Sequence, residues 1–253
     1  MDLPIAGLKV VLGPGLVYGF AGFGALCEFE RRSIPVAAVA GANTGALAAA
    51  MWAVGGELEL ATRVAAHLPW DDYFAGRDLG ASDPLLGALS VLTRNLEFAD
   101  CARRISVFSV DLECGAPVVF ESGSLARAVR CSMAIPQVFE PLAEGGRRYC
   151  DGGLARAALR RAAGEWEGPV VAFWPKAELR YDPGASPRER AAAYAARAWG
   201  EAPFAPATVV EVSGPASHPL DFARALDWIE AGRRAAAAWL TEARPAGNGG
   251  GAR

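Results

Sequence analysis

Residues 33–56, SIPVAAVAGANTGALAAAMWAVGG, run for two dozen positions without a charged side chain. A segment that long and that apolar has to be buried, in a bilayer or in a protein core. Pro35, Gly41, Gly45 and the Gly55-Gly56 pair punctuate it, and β-branched residues cluster before the turn while alanine dominates after it. That order predicts a buried strand, a tight turn and a buried helix rather than a membrane span. The chain therefore has to supply a core around a strand–turn–helix unit with no polar face of its own.

The rest of the 253-residue chain is suited to that demand. Short apolar runs recur at 8–12, 36–40, 105–110, 117–120, 169–174 and 207–212, most with helical stretches between them. The alternation predicts an α/β fold with a mostly parallel central sheet and helices on both faces. The close pair 105–110 and 117–120, joined by DLECGA, reads as a hairpin at one side of that sheet. Ser186-Pro187-Arg188-Glu189 is a capping box opening the helix RERAAAYAARAW. Near the C-terminus Phe222, Leu226, Ile229, Ala236 and Leu240 recur at helical spacing, so an amphipathic helix is expected there. Residues 1–243 read as a single domain and 244–253, RPAGNGGGAR, as a disordered tail.

Hydrophobic residues make up 52% of the chain and the net charge is only −3. No basic stripe is present, so nucleic acid is not an expected partner. Five cysteines, Cys27, Cys101, Cys114, Cys131 and Cys150, form no C-x-x-C pair. Reduced thiols without a zinc site are expected, and with the absence of a basic region in MDLPIAGLKV this points to a cytoplasmic protein. The paucity of lysine against arginine and alanine fits a GC-rich, bacterial coding sequence.

The turn at Gly41-Ala42-Asn43-Thr44-Gly45 has the layout of a nucleophile elbow, Gly-x-Ser-x-Gly, in which a sharp strand-to-helix turn presents a serine. Its centre here is Asn43. Three further segments accompany it: GLVYGFAGFGAL at 15–26, a Gly-rich turn opening a helix; VFESGSLARAVRCSMAIPQVFEPL at 119–142; and GGRRYCDGGL at 145–154. Together, and in this order, they resemble the patatin-like phospholipases. A doubly wound nucleotide-binding protein is the competing reading, but no downstream ribose-binding acid supports it.

The resemblance implies a three-layer patatin-like fold and a Ser-Asp dyad that hydrolyses lipid acyl esters without a metal or other cofactor. It implies Asp151, in Asp151-Gly152-Gly153, as the dyad base and position 43 as the nucleophile. It implies an oxyanion hole in the turn before the first helix. Three departures follow. An amide nitrogen at Asn43 is not a usable nucleophile. Aligned without a gap on Gly19, the family's first glycine becomes Pro14, its third Leu16 and its arginine Tyr18, leaving the backbone N–H groups of Gly15 and Leu16 as donors. A one-residue insertion would instead bring Gly13 to the first glycine. Asn43 tolerates the strained elbow backbone, and its amide is expected to donate to Asp151 as a serine hydroxyl would.

A homologue with impaired or lost dyad catalysis and a retained acyl-lipid or ester pocket is therefore expected. The alternative is an active acyl hydrolase with a non-standard nucleophile such as Thr44. For Asp151 a turn-capping role is the plain alternative. His67, His218 and Ser132 read as ordinary packing or surface residues, and Cys131 and Cys150 as small buried hydrophobes. Trp70, Tyr73 and Phe74 in HLPWDDYFAGRDLG read as a connection folded over the core, with a lid or peripheral membrane contact as the functional alternative. The sequence names no protein partner.

Overall fold

The structure is a computed structural model that describes residues 7–74, 83–154, 168–176, 178–179, 183–199 and 208–242. The expected C-terminal tail lies outside the described residues.

The charge-free run folds as its punctuation demands. Strand β2 (Val36–Gly41) turns at Ala42-Asn43 into helix α2 (Thr44–Val54), every residue of which is buried. Strand β1 (Leu8–Leu12) lies parallel beside it, followed by a 3-10 turn (Leu16–Phe20) and helix α1 (Ala21–Arg31). After α2 come α3 (Leu58–Ala66), α4 (Trp70–Phe74) and α5 (Pro84–Leu92). Strands β3 (Arg104–Asp111) and β4 (Pro117–Phe120) pair antiparallel as the expected hairpin. Helix α6 (Leu125–Ser132) leads into the short antiparallel pair β5 (Leu142–Glu144) and β6 (Arg147–Cys150). Strand β7 (Val170–Lys176), helix α7 (Pro187–Trp199), strand β8 (Thr208–Ser213) and helix α8 (Ala225–Glu242) complete the described chain.

Hydrogen bonding orders the sheet β5-β6-β3-β2-β1-β7-β8, with β4 on β3 outside that path. The registers along β3 place the site. Val107 pairs with Gly41 and also with Phe120, while Val110 pairs with Cys150 and also with Pro117. Since β4 takes up one edge of β3, β2 and β6 share the other edge. β2 runs parallel to β3 and β6 antiparallel, so the two strands run toward each other and stop a few residues apart. Asn43 and Asp151 are the residues just past those two ends.

The central strands are apolar on both faces, as strands covered on both sides must be. Val10, Leu12, Val39, Val107 and Phe173 join the large cluster with α1, α2, α6 and α8, and Val11, Ala40, Phe108, Ala172 and Trp174 form a smaller one. Phe29 of α1 meets Phe173 and Trp239 of α8 edge-on or tilted, at 5.6 and 5.8 Å between ring centroids. Trp70 is buried and stacks on Phe222 at 4.7 Å, so the start of the aromatic connection does fold over the core. Residues 75–80 of that connection lie outside the described residues.

One expectation for the last helix needs correction. Phe222 belongs to a preceding 3-10 turn (Phe222–Arg224), and the α-helix starts at Ala225. The buried arc of that helix runs through Ala225, Trp228, Gly232, Ala236 and Trp239, so Leu226, expected on the buried face with Ile229, Ala236 and Leu240, falls outside it and is 50% exposed; Ile229, Ala236 and Leu240 are buried as expected.

Candidate active site

The elbow is set by backbone crowding. A Cβ on Gly41 would lie 2.3 Å from the carbonyl oxygen of Gly45, and one on Gly45 would lie 2.5 Å from that of Gly13. Both spacings are far inside van der Waals contact, so only glycine lets β2 turn this sharply against β1 and α2. Between them Asn43 takes φ 54°, ψ −127°, a conformation that non-glycine residues adopt only when the surroundings enforce it. Its backbone N–H donates to Ser132 Oγ at 2.9 Å. Ser132, at the end of α6, thus holds the strained residue from the far side of the site; it is more than the packing residue its sequence context indicates.

The Asn43 side chain is fully buried, and its partners fix its orientation. Leu16 N–H donates to Asn43 Oδ1 at 2.9 Å, and the Thr44 hydroxyl donates to the same oxygen at 3.2 Å. Asn43 Nδ2 donates to Asp151 Oδ1 at 3.2 Å. A backbone N–H only donates and a carboxylate only accepts, so the amide has one arrangement that satisfies both. The structure thereby brings together Asn43, Asp151 and Leu16, three residues from separate segments.

Asp151 is 0% exposed. Its Oδ1 also accepts from Gly153 N–H at 3.1 Å, and its Oδ2 accepts from the Trp199 indole N–H at 2.8 Å. Its own N–H donates to Ala134 O, which ties the Asp-Gly-Gly turn to the segment after α6. Burial pushes the carboxyl up to about 6, against the opposing pull of the three donors. Trp199, the last residue of α7, is a partner the sequence reading did not assign to the site. Gly152 sits against the Phe108 carbonyl of β3, which is how the end of β6 is pressed onto the sheet.

The turn at 13–18 has changed character. Leu16 adopts φ 50° and is fully buried, so a side chain fills the space beside a left-handed backbone position. Pro14 lies beside Gly153, where its Cβ is 2.6 Å from an added Cβ. Tyr18, which the ungapped reading sets at the family's arginine, donates to Ser217 O at 2.6 Å and packs on Trp228 at 4.8 Å between centroids. Burial holds its phenol neutral, so this position carries no charge. Of the two expected donors, Leu16 N–H points into the site, where Asn43 Oδ1 accepts it.

The remaining candidates fall outside the constellation. Burial pushes the Cys131 thiol up to about 12 and the Cys150 thiol up to about 11, which leaves both neutral and poorly nucleophilic. His67 faces the Arg63 carbonyl on the surface, and His218 lies between the Glu189 carbonyl and the Leu220 N–H. Among the described residues no group of three or more His, Cys, Asp or Glu side chains is placed to hold a metal ion. No described helix is long and apolar enough to cross a membrane.

A cavity of about 550 Å³ opens beside this site. Ile135, next to the carbonyl that holds Asp151, and Leu154, whose N–H donates to the Asp151 carbonyl, form one wall. Ala191, Tyr194 and Ala195 of α7 form the other, with Trp199 one turn further on.

Comparison with known proteins identifies the family and the fold. A family model described as patatin-like phospholipase matches residues 10–163, which hold the turn, the elbow and Asp-Gly-Gly. An uncharacterized NTE family protein of Mycobacterium bovis is 28% identical over 161 residues, covering 58% of this chain and 42% of its own. Another, from Mycobacterium tuberculosis, is 29% identical over 165 residues, covering 58% and 26%. The matched part is thus under half of either relative. Among solved structures, VipD from Legionella pneumophila superposes with a TM-score of 0.54 over 93% of this chain and 67% of its own, at 14% identity. Full-length ExoU of Pseudomonas aeruginosa, solved with SpcU, gives 0.56 over 96% and 53%, at 13% identity. At such identities the likeness is one of fold.

Proposed function

The chain belongs to the patatin-like phospholipase family, and from that premise we propose that it is a homologue of the lipid acyl hydrolases in which dyad catalysis has lapsed and an acyl-binding pocket is kept. One observation carries the reading: Leu16 N–H donates to Asn43 Oδ1. In an acyl hydrolase of this family the nucleophile attacks a carbonyl whose oxygen swings toward donors of the turn at 13–19. Here that donor is spent on the side chain standing in the nucleophile's place. Asn43 therefore removes two parts of the reaction at once, the attacking oxygen and a donor to the oxyanion.

The same network speaks against Thr44 as a substitute. Its hydroxyl donates to Asn43 Oδ1, and Asn43 stands between it and the carboxylate that would take its proton. A nucleophile without its base in reach is not activated. In this reading Asp151 keeps the base position, Gly41 and Gly45 keep the elbow, Gly152 and Gly153 seat the aspartate, and the N–H groups of Gly15 and Leu16 are what is left of the oxyanion turn. No metal or organic cofactor takes part.

Hydrolysis of a short 4-nitrophenyl ester and of phosphatidylcholine vesicles tests this directly. The unmodified protein and Asp151→Ala should both stay at the buffer rate. Asn43→Ser restores the hydroxyl and frees Leu16 N–H, and should raise the rate above buffer by at least about 10²-fold, against the roughly 10⁶ that a missing nucleophile costs a serine hydrolase. Hydrolysis by the unmodified protein that vanishes in Asp151→Ala would sink the proposal.

A further inference from the structure

The cavity beside the sealed dyad has a composition of its own. Ile135, Pro136, Leu154, Pro187, Ala191 and Ala195 give it apolar walls. Two of the chain's exposed large apolar residues, Tyr194 at 74% and Leu154 at 37%, stand at its mouth. The single charged residue among the described lining is Arg190, exposed, in the first turn of α7, on the face that also carries Ala191, Tyr194 and Ala195. It forms no ion pair among the described residues, and no acidic side chain shares the described lining. Gln137, at φ 67°, adds an amide at the same rim.

Resting on the reading of a retained acyl pocket, we propose that this cavity binds a long-chain carboxylate, with the chain between α7 and the Ile135–Leu154 wall and the carboxylate on the Arg190 guanidinium. The planar fork of arginine matches a carboxylate through two parallel N–H···O bonds, which a neutral ester or alcohol cannot return. The cavity lies within the size range of small-ligand sites and combines apolar walls with one oriented polar group, as such sites do. Trp199, one turn beyond Ala195 on the same helix, donates to Asp151 Oδ2, so the helix that walls the cavity also reaches the dyad position. A free carboxylate carries no acyl ester bond, so the ligand is bound and not turned over.

Titration of the purified full-length protein with palmitate, hexadecanol and hexadecyl phosphate, each below its micelle concentration, reads the proposal out. Palmitate should bind one to one, at least 10-fold tighter than hexadecanol and at least as tightly as hexadecyl phosphate. Arg190→Glu should weaken palmitate at least 10-fold and leave hexadecanol within about twofold. Ala191→Trp, which fills the cavity, should abolish binding of both; if that variant does not fold by circular dichroism, Leu154→Trp at the mouth replaces it. Equal binding of palmitate and hexadecanol, tighter binding of hexadecyl phosphate, palmitate binding indifferent to Arg190→Glu or to the blocking variant, or no binding at all each overturns the assignment. Ester hydrolysis measured on the same preparation reports separately on the lapsed dyad, so failure of one reading is not mistaken for failure of the other.

Discussion

Two buried turns meet at the candidate site, and they have absorbed change in opposite ways. At the elbow the flanking Gly41 and Gly45 stand unchanged while the central residue is asparagine. In the turn at 13–18 the ungapped reading puts Leu16 where the family has its third glycine and Tyr18 where it has its arginine. The difference follows the sterics. Added Cβ atoms at 41 and 45 would run into backbone oxygens at 2.3 and 2.5 Å, and backbone has nowhere to go. At position 16 the backbone is left-handed, φ 50°, yet a leucine side chain fits and is fully buried. Main-chain contact leaves positions 41 and 45 no alternative to glycine, whereas position 16 has room for a large side chain.

The largest expected effect tests the rigid half of that comparison. Gly41→Ala drives a methyl group into the Gly45 carbonyl and should destabilise the protein by about 4 kcal/mol, at the upper end of single-residue effects. Urea denaturation monitored by circular dichroism measures it. A loss below about 1 kcal/mol would show that the elbow relaxes easily, and the conserved sterics would then not explain why the glycines stand.

Asp151 faces both turns through Asn43, and its ionisation sharpens the comparison at the next magnitude. Its folded carboxyl is pushed up to about 6 by burial, above the ordinary aspartate value of 3.8. The folded state therefore holds a proton that the unfolded chain has released between about pH 4 and 6, so this group's contribution is fully present below pH 4 and is lost as pH rises through 6. With about two units between the states, the loss is about 3 kcal/mol. Other carboxylates work in the opposite direction: Arg31 beside Glu28 and Arg147 beside Asp111 hold those groups below their usual range. The quantity to measure is thus the stability of the wild type minus that of Asp151→Ala at pH 4 and pH 7. A difference that does not shrink over this interval would mean that the three donors, not burial, govern the carboxylate.

Much of this was readable from residues, and what was not has a common cause. The strands showed because each is a short apolar run, and the elbow and Asp-Gly-Gly showed because their glycines are punctuation fixed by local crowding. Ser132 and Trp199 did not show. Their bonds to Asn43 and Asp151 close over 89 and 48 residues of chain, and nothing local distinguishes a serine or tryptophan that ends a helix at the site from one that ends a helix elsewhere. Leu226 was misplaced because the buried arc of its helix is filled by small residues and tryptophans, Ala225, Trp228, Gly232 and Trp239, rather than by the aliphatic positions that mark it most plainly. The cavity depends on which face of α7 turns inward, a property of packing that helical periodicity in an alanine-rich segment leaves open.

Leu16→Gly probes the permissive half of the comparison and carries the smallest effect. Glycine at 16 would relieve the left-handed backbone, worth about 1 kcal/mol, and would keep the N–H that reaches Asn43 Oδ1. Against this, a leucine side chain that is fully buried would leave a void, which costs about 2–5 kcal/mol in well-packed cores, and glycine adds freedom to the unfolded chain. The balance is a loss of about 2 kcal/mol, readable in the same urea titration. The sign decides the matter. If glycine stabilises the fold, Leu16 is a tolerated lesion in a turn still shaped for an oxyanion. If it destabilises, the leucine has become part of the core, and the turn has exchanged its former chemistry for packing.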